Sequence, residues 1–415
     1  MKTLILKSWV VGGTFAATIF MNPANAGHVH PVENNVSPCV LINSSLLGNQ
    51  ECAKTMTSVF DTQGRLWSVW SNDEFLYVNY SDDKGKTFSN GVKVNTIAEK
   101  VSARHEHRPK IKISKNGNIY LSWTVKLKKR FTGNIRFSKS IDNGKTFSQP
   151  ITVNDNRDII SHRFDTLGVN KNGDIYISWL DKRDKQKAEL NSEKYNGAAA
   201  YFAVSVNEGI SFSQNYKLAD NSCECCRMTM DFDQRDFPVI AWRHIYGDNI
   251  RDHSIVNFKN RLEPNAPTRL SKDNWKIDGC PHHGPSLSIS DENIYHAVWF
   301  NDAKHKHGIF YANSHDSGKS FSESLAIGQY NNNASHADIA TLDQSVYIVW
   351  QEFNKPTHQL YIMVSNNNGR NWSKPQLLSS TIKMPDYPFV IIDKKQVYVS
   401  WHIPGEQYKL LSIRL

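Results

Sequence analysis

Residues 81–88 read SDDKGKTF and residues 140–147 read SIDNGKTF, two copies of the pattern Ser-x-Asp-x-Gly-x-Thr-aromatic. Three degenerate copies occupy 205–212, 314–321 and 365–372. The residues at the third position of the five copies are Asp83, Asp142, Asn207, Asp316 and Asn367. In such a segment the Ser and Asp or Asn side chains bond turn amides, Gly adopts a positive φ, and the aromatic ring anchors the next strand. The pattern therefore predicts five equivalent hairpin turns in one repeat array.

Strands that end in Trp recur with the same period. Seven segments of alternating character end in Trp, at 65–70, 118–123, 174–179, 238–242, 293–299, 345–350 and 396–401. Each is flanked by an earlier and a later short strand, which predicts an all-β fold: a single seven-bladed β-propeller of four-stranded antiparallel blades over 39–415. The last repeat supplies only three strands, so we expect a strand near 40–47 to complete that blade and close the ring.

The five copies resemble the Asp-box, also called the BNR repeat, of sialidase-type β-propellers. The resemblance implies a propeller fold, with six blades as the alternative count because sialidases have six. It implies little about activity, because in that family the box is a structural turn remote from the ligand site, and many proteins that carry it cleave no sugar.

The N-terminus has the organisation of a secretory signal peptide. Lys2 and Lys7 precede an apolar run at 9–21, and an Ala-Asn-Ala cleavage sequence closes the segment 1–26. We therefore expect cleavage at this point, a flexible mature N-terminus at 27–38, and a destination in the periplasm or outside the cell.

Composition restricts the partners. The formal net charge of +9 falls to about +7 without the two lysines of the signal peptide, which on a long chain concerns solubility rather than a specific partner. No later segment is long and apolar enough to span a bilayer, and nothing suggests a recognition helix or stacking platform for nucleic acid. We expect a monomer.

Cys39 and Cys52 bracket the predicted closing strand, and in an oxidising compartment we expect them to form a structural disulfide.

His and Cys residues recur at one repeat position. When the repeats are aligned on their Trp, the residue some 14 to 17 positions earlier lies just before the innermost strand, where a propeller gathers its loops around the central channel. The residues at this position are His107, His162, Cys226, His283, His336 and Asp386. Five of these six residues are imidazole or thiol ligands, which predicts a metal site at the hub.

Neighbouring positions extend this set. The further candidate ligands are Cys223, Cys225, Cys280, His105 and His282. Thiols and imidazoles in an exported protein favour copper first and zinc as the alternative. The pattern is compatible with one shared site or with two, one around the cysteines with His282 and His283, and one around His107, His162 and His336. The competing interpretation has no cofactor: the His residues cap strand ends, and the cysteines form disulfides.

A second hypothesis is a glycoside hydrolase. Sialidases hold the substrate carboxylate with three arginines and use a Tyr activated by a Glu as nucleophile. The residues of this chain that would correspond are Arg108, Arg163, Arg227 and Tyr387. The Arg-Ile-Pro motif of the family becomes Arg108-Pro109, and only proximity suggests Glu106 or Glu224 as the activating Glu. Glycoside cleavage also has no need of Cys or paired His.

A third hypothesis is a non-catalytic module that presents its face to a glycan or a protein. Of the three, the sequence favours an exported propeller with a central Cys/His metal site that acts in metal binding or redox chemistry. If the protein is an enzyme, we expect a metal-dependent oxidoreductase or an exo-sialidase-like glycosidase. The expected partner is a small molecule, a glycan or a client metalloprotein.

Overall fold

The computed structural model describes residues 50–72 and 74–414, apart from the side chain of Cys52. The predicted signal peptide, the tail at 27–38, Cys39 and the predicted strand at 40–47 lie outside these residues. The disulfide between Cys39 and Cys52 and the N-terminal closing strand therefore stay predictions. In the described part of the chain, no helix is long and apolar enough to cross a membrane.

The described strands follow one another in groups of four. Blades 1 and 2 contain β1 (Thr57–Phe60), β2 (Leu66–Ser71), β3 (Leu76–Ser81), β4 (Val92–Lys93), β5 (Lys110–Ile113), β6 (Ile119–Lys126), β7 (Gly133–Ser140) and β8 (Ile151–Thr152). Blades 3 and 4 contain β9 (His162–Val169), β10 (Ile175–Asp181), the helix α1 (Arg183–Leu190), β11 (Ala198–Ser205), β12 (Tyr216–Ser222), β13 (Thr229–Phe232), β14 (Pro238–Arg243), β15 (His253–Asn257) and β16 (Thr268–Arg269). Blades 5 to 7 contain β17 (Ser286–Ile289), β18 (Tyr295–Ala303), β19 (Lys306–Ser314), β20 (Leu325–Ile327), β21 (Ser335–Leu342), β22 (Ser345–Asn354), β23 (Thr357–Ser365), β24 (Gln376–Thr381), β25 (Phe389–Asp393), β26 (Gln396–Trp401) and β27 (Lys409–Ile413). Short 3₁₀ turns occupy Gln50–Cys52 and Tyr330–Asn332.

The sheets form a closed ring. Each is an antiparallel meander of consecutive strands, four in blades 1 to 6 and three in the described part of blade 7. The first strand of each blade contacts the first strands of both neighbouring blades, and β25 contacts β1. This arrangement confirms the seven-bladed prediction over the six-bladed alternative. It also places the seven first strands around the central channel.

The core lies between neighbouring blades. The predicted Trp-ending strands are β2, β6, β10, β14, β18, β22 and β26, the second strand of each blade. Trp123 and Trp179 are fully buried, and Trp123 packs with Trp67 of the preceding blade in one hydrophobic cluster. Loss of one such ring costs about 3–5 kcal/mol of stability. The repeated Trp is therefore a packing residue that fixes each blade against the next.

The five box segments form the predicted turns. In the first, Ser81 Oγ donates to Asp83 Oδ1 at 2.8 Å and accepts from the Gly85 amide at 2.7 Å, while Thr87 Oγ1 donates to Asp83 Oδ2 at 2.6 Å. The Ser-to-Asp or Ser-to-Asn bond recurs in the other four. The hydrogen bonds from Thr87 lower the pKa of Asp83 to about 2. Each turn lies between the third and fourth strands of its blade.

Blade 4 has no box sequence, and a phenylalanine from outside the box pattern takes the place of the box aromatic residue. Phe212 of blade 3 packs edge-on against Phe137 of blade 2, with ring centroids 5.0 Å apart. In blade 4, Phe258 makes the same kind of contact with Phe202 of blade 3, also at 5.0 Å. The interblade ring contact is thus kept where the turn sequence is lost.

Candidate functional site

Loops that precede the first strands meet at one end of the channel. Glu106, before β5, accepts hydrogen bonds from the amides of Gly284, before β17, and of Arg227, before β13. Arg108 forms a buried ion pair with Asp386, before β25. These residues come from blades 2, 4, 5 and 7, and we call the surface that their loops form the hub mouth.

Four cysteines at the hub mouth are free thiols. The Sγ atoms of Cys223 and Cys225 lie 3.6 Å apart, and each lies 3.9 Å from Sγ of Cys226. In a second group, Cys225, Cys280 and His282 also place ligand atoms within 4.8 Å of one another. Cys225 belongs to both groups. The structure therefore joins these five residues into one set, which we call the thiol cluster.

The thiol cluster has a buried end and an exposed end. Cys223 and Cys226 are each 1% exposed and Cys225 is 4% exposed, in the loop between β12 and β13. Cys280 and His282 are exposed, in the irregular segment before β17. His282 has a φ of +54°, a left-handed conformation that few residues other than Gly adopt.

Arginines surround the buried end. Arg251 Nη1 donates to Cys223 Sγ at 3.1 Å. Arg243, which is 1% exposed, donates to the carbonyl oxygen of His283 at 2.8 Å. Hydrogen bonds with the two neighbouring thiols lower the pKa of Cys223, and the charges of Arg251 and Arg243 lower it further. Positive charge thus favours a thiolate at Cys223, whereas hydrogen bonds within the cluster raise the pKa of Cys225 and burial raises the pKa of Cys226.

Glu106 connects the two loops of the thiol cluster. Its two carboxylate oxygens accept from the Gly284 amide at 2.8 and 2.9 Å, and Oε2 accepts from the Arg227 amide at 3.1 Å. Arg227 directly follows Cys226, and Gly284 lies two residues after His282. One buried carboxylate from blade 2 therefore fixes the spacing of the two loops from blades 4 and 5.

The predicted ligands His107 and His162 lie outside the thiol cluster. His107 Nδ1 is 2.9 Å from Ser102 Oγ, and its ring stacks on Phe164 with centroids 4.5 Å apart. His162 Nδ1 is 2.9 Å from the carbonyl oxygen of Gly133. Burial lowers the pKa of both imidazoles. Both rings are thus held in the neutral form within the blade packing.

Three other predicted ligands, His283, His336 and His105, belong to a column of stacked rings. The column runs through Phe300, His283, His336, Tyr387 and His105, with successive centroid distances of 4.2, 4.4, 3.5 and 5.3 Å. Burial lowers the pKa of His336 and raises the pKa of Tyr387. The structure therefore brings His283 and His336 together, beside the thiol cluster rather than in it.

The three arginines of the hydrolase hypothesis are engaged with the protein. Arg108 forms two hydrogen bonds with Asp386, at 2.8 and 2.5 Å, and both side chains are buried. Arg227 donates to the carbonyl oxygen of Ala337 at 2.9 Å. The Arg163 guanidinium lies 4.9 Å from the ring of the residue that follows it. Arg108 and Arg227 thus bond residues of other blades, and Arg163 contacts the ring of Phe164.

Sequence reasoning missed Arg243 and Arg251. Arg243 directly follows Trp242 at the end of the apolar strand β14, and an arginine at that buried position was a usable signal. Arg251 lies in a loop, and the sequence around it gave no such signal, because its contact with Cys223 exists only in the folded chain.

No protein-family model matches the chain, and no curated protein matches it. Solved structures resemble it. A protein of unknown function from Dyadobacter fermentans is 16% identical with a TM-score of 0.52, over 76% of this chain and 95% of that one. An ulvan lyase of polysaccharide lyase family PL25 is 11% identical with a TM-score of 0.55, over 86% and 90%. A Hadza microbial sialidase is 12% identical with a TM-score of 0.49, over 84% and 76%.

At these identities the similarity concerns the fold alone. The two structures with TM-scores above 0.5, the Dyadobacter protein and the ulvan lyase, share the fold of this chain and assign it no activity. The activity of this chain has to be argued from its own hub mouth.

Proposed function

We propose that the protein is a metal-binding propeller whose thiol cluster holds a soft metal ion, copper as Cu(I) first and zinc as the alternative. The ligands are Cys223, Cys225 and Cys226, with Cys280 and His282 at the exposed end. The observation that carries the proposal is the triangle of three buried sulfur atoms with edges of 3.6, 3.9 and 3.9 Å.

These separations fit shared coordination. They are far longer than a disulfide bond of about 2.05 Å. Thiolates bound to one tetrahedral ion at about 2.3 Å place their sulfurs about 3.8 Å apart, which is the spacing of Cys223, Cys225 and Cys226. Thiolate ligands select Cu(I) and zinc over the hard cations that prefer oxygen. The distances and the donor atoms thus favour the same class of ion.

The surrounding charges support the same proposal. Several thiolates and one cation of low charge leave a net negative site, and buried charge is costly unless it is compensated. Arg251 bonds Cys223 directly, and the charge of Arg163 acts on Cys225 and Cys280. These guanidinium groups compensate the thiolates that a metal requires.

The hydrolase hypothesis is less well supported. Arg108 is neutralised by Asp386, and burial raises the pKa of Tyr387, the reverse of what a tyrosine nucleophile needs. Glu106 bonds two backbone amides and Glu224 pairs with Lys182. Both carboxylates are engaged with other groups, and the charge of Glu106 contributes to the raised pKa of Tyr387.

The test is the metal content of the protein exported to the periplasm, measured by mass spectrometry with a thiol count. We expect about one copper or zinc ion per chain in the wild type, and loss of the ion in Cys226→Ser. His315→Ala, at an exposed position in a box turn at the opposite end of blade 5, is the control and should keep the ion. A metal-free wild type with no reactive thiols would overturn the proposal in favour of disulfides.

A further inference from the structure

We infer that the ion enters and leaves through Cys280 and His282, by ligand exchange with a donor that carries it on thiolate or imidazole groups. The inference rests on the proposed metal site and adds the route and the chemistry of the partner. It separates the five residues of the thiol cluster into storage ligands and transfer ligands.

The first argument is exposure. Cys223, Cys225 and Cys226 are buried, whereas Cys280 and His282 are the exposed members of the thiol cluster. A soft ion passes between ligands one bond at a time, so the first contact with a donor falls to groups that the donor can reach. A metal site needs such an entry path, and the exposed pair provides it.

The second argument is charge. Arg251 lies 3.1 Å from Cys223 Sγ, and the buried Arg243 fixes the neighbouring loop through the carbonyl of His283. Like charges repel strongly where little water screens them. The guanidinium groups of Arg251 and Arg243 therefore repel a cation that approaches the buried end. The exposed end is the favourable approach.

The third argument is connection. Cys225 is within 4.8 Å of Cys280 and His282 and belongs equally to the buried triangle. It can remain bound while the ion moves from the exposed pair to Cys223 and Cys226. The segment before β17 contains no strand or helix, and it is fixed by the hydrogen bonds of Trp275 with Arg251 and Asp252 on one side and of Gly284 with Glu106 on the other. The transfer ligands thus lie in the stretch between two anchored points of their loop.

The exchange requires no electron transfer. The Cys280 thiol loses its proton to water as its sulfur binds the ion. A thiolate released by the donor takes up a proton, whereas a released imidazole leaves as the neutral base and the proton stays in the solvent. The ion keeps its oxidation state throughout. Any donor with exposed thiolate or imidazole ligands satisfies this balance, whether it is a protein or a small chelator.

The experiment follows Cu(I) transfer from its bicinchoninate complex, whose aromatic ring nitrogens stand in for imidazole ligands, to the apoprotein. Stopped-flow absorbance measures it in the wild type, Cys280→Ser, His282→Ala and the control His315→Ala. We expect Cys280→Ser to bind one ion per chain but to take it up several-fold more slowly, because the entry path loses its first thiol ligand. His282→Ala should be slowed as well, and the control should match the wild type.

Each other outcome has a distinct meaning. If the wild type binds no copper or zinc, the proposed function itself fails. If the wild type loads and Cys280→Ser loads at the same rate, only the route is overturned. If Cys280→Ser binds no ion at all while remaining folded by circular dichroism, the route is also overturned, because Cys280 would then be an obligatory storage ligand.

Discussion

The carboxylate of Glu106 accepts the amide of Gly284 through both of its oxygens, at 2.8 and 2.9 Å, although 178 residues separate the two in sequence. The same carboxylate accepts the amide of Arg227. The two loops that carry the thiol cluster are therefore fixed by a side chain from a third blade. The geometry of the cluster therefore depends on the arrangement of blades 2, 4 and 5 around the hub.

The first prediction concerns these hydrogen bonds between Glu106 and the two loops. Glu106→Gln replaces one carboxylate oxygen by an NH₂ group, which cannot accept, and removes the negative charge, so the hydrogen bonds to the two loops are weakened. We expect about tenfold weaker metal binding, because residues that orient ligands typically change affinity by that order, with all four thiols still present. Competition titration against a Cu(I) chelator measures it. The surface change Glu323→Gln is the control and should leave the metal affinity unaltered. Equal metal affinity in both variants would contradict the claim that Glu106 fixes the two loops.

The second prediction separates a structural arginine from a substrate-binding one. Arg108→Ala leaves Asp386 as an unpaired buried charge, and breaking a buried pair costs about 3–5 kcal/mol. Urea denaturation should show that loss. A sialidase-like role would instead predict little loss of stability and weaker binding of sialosides. Unchanged stability would show that the ion pair is not the main role of Arg108.

The third prediction tests the box turn. Gly144 has a φ of +73°, and an added Cβ would lie 2.6 Å from the Trp67 ring of the preceding blade. Gly173 has a φ of +87° with nothing within 4 Å of the same atom, so it serves as the matched control. Both Ala variants bear backbone strain, but Gly144→Ala should lose about 1–3 kcal/mol more because of the clash. Equal losses of stability in the two variants, measured by thermal unfolding, would contradict the close contact between Gly144 and the Trp67 ring.

These examples show what the sequence could and could not predict. The boxes and the Trp strands are local patterns, so blade number and strand positions followed from them. Phe258 was missed because its role is defined by Phe202 of another blade. Repeat alignment placed His107 and Cys226 at the same end of their blades. It carried no information on which side chain turns toward the blade packing and which toward the channel.

The fourth prediction concerns pH. Burial lowers the pKa of His296 to about 4, and its Nδ1 is 2.8 Å from the hydroxyl oxygen of Tyr311. In the unfolded chain the pKa of His296 is about 6.5. Below that pH, the unfolded chain binds a proton at His296 that the folded chain does not bind. Stability should therefore fall as the pH drops from 6.5 toward 4, by about 3 kcal/mol for this residue. Urea unfolding of His296→Gln should show a smaller decline over the same interval. An identical pH slope in the variant would contradict the assignment.

The most direct test of the central claim is the X-ray absorption spectrum of the metal in the protein as isolated from the periplasm. The thiol cluster predicts a first shell dominated by sulfur at about 2.3 Å, with at least three sulfur atoms per ion and loss of that shell in Cys226→Ser. A shell of nitrogen and oxygen alone, or no bound metal, would contradict the account.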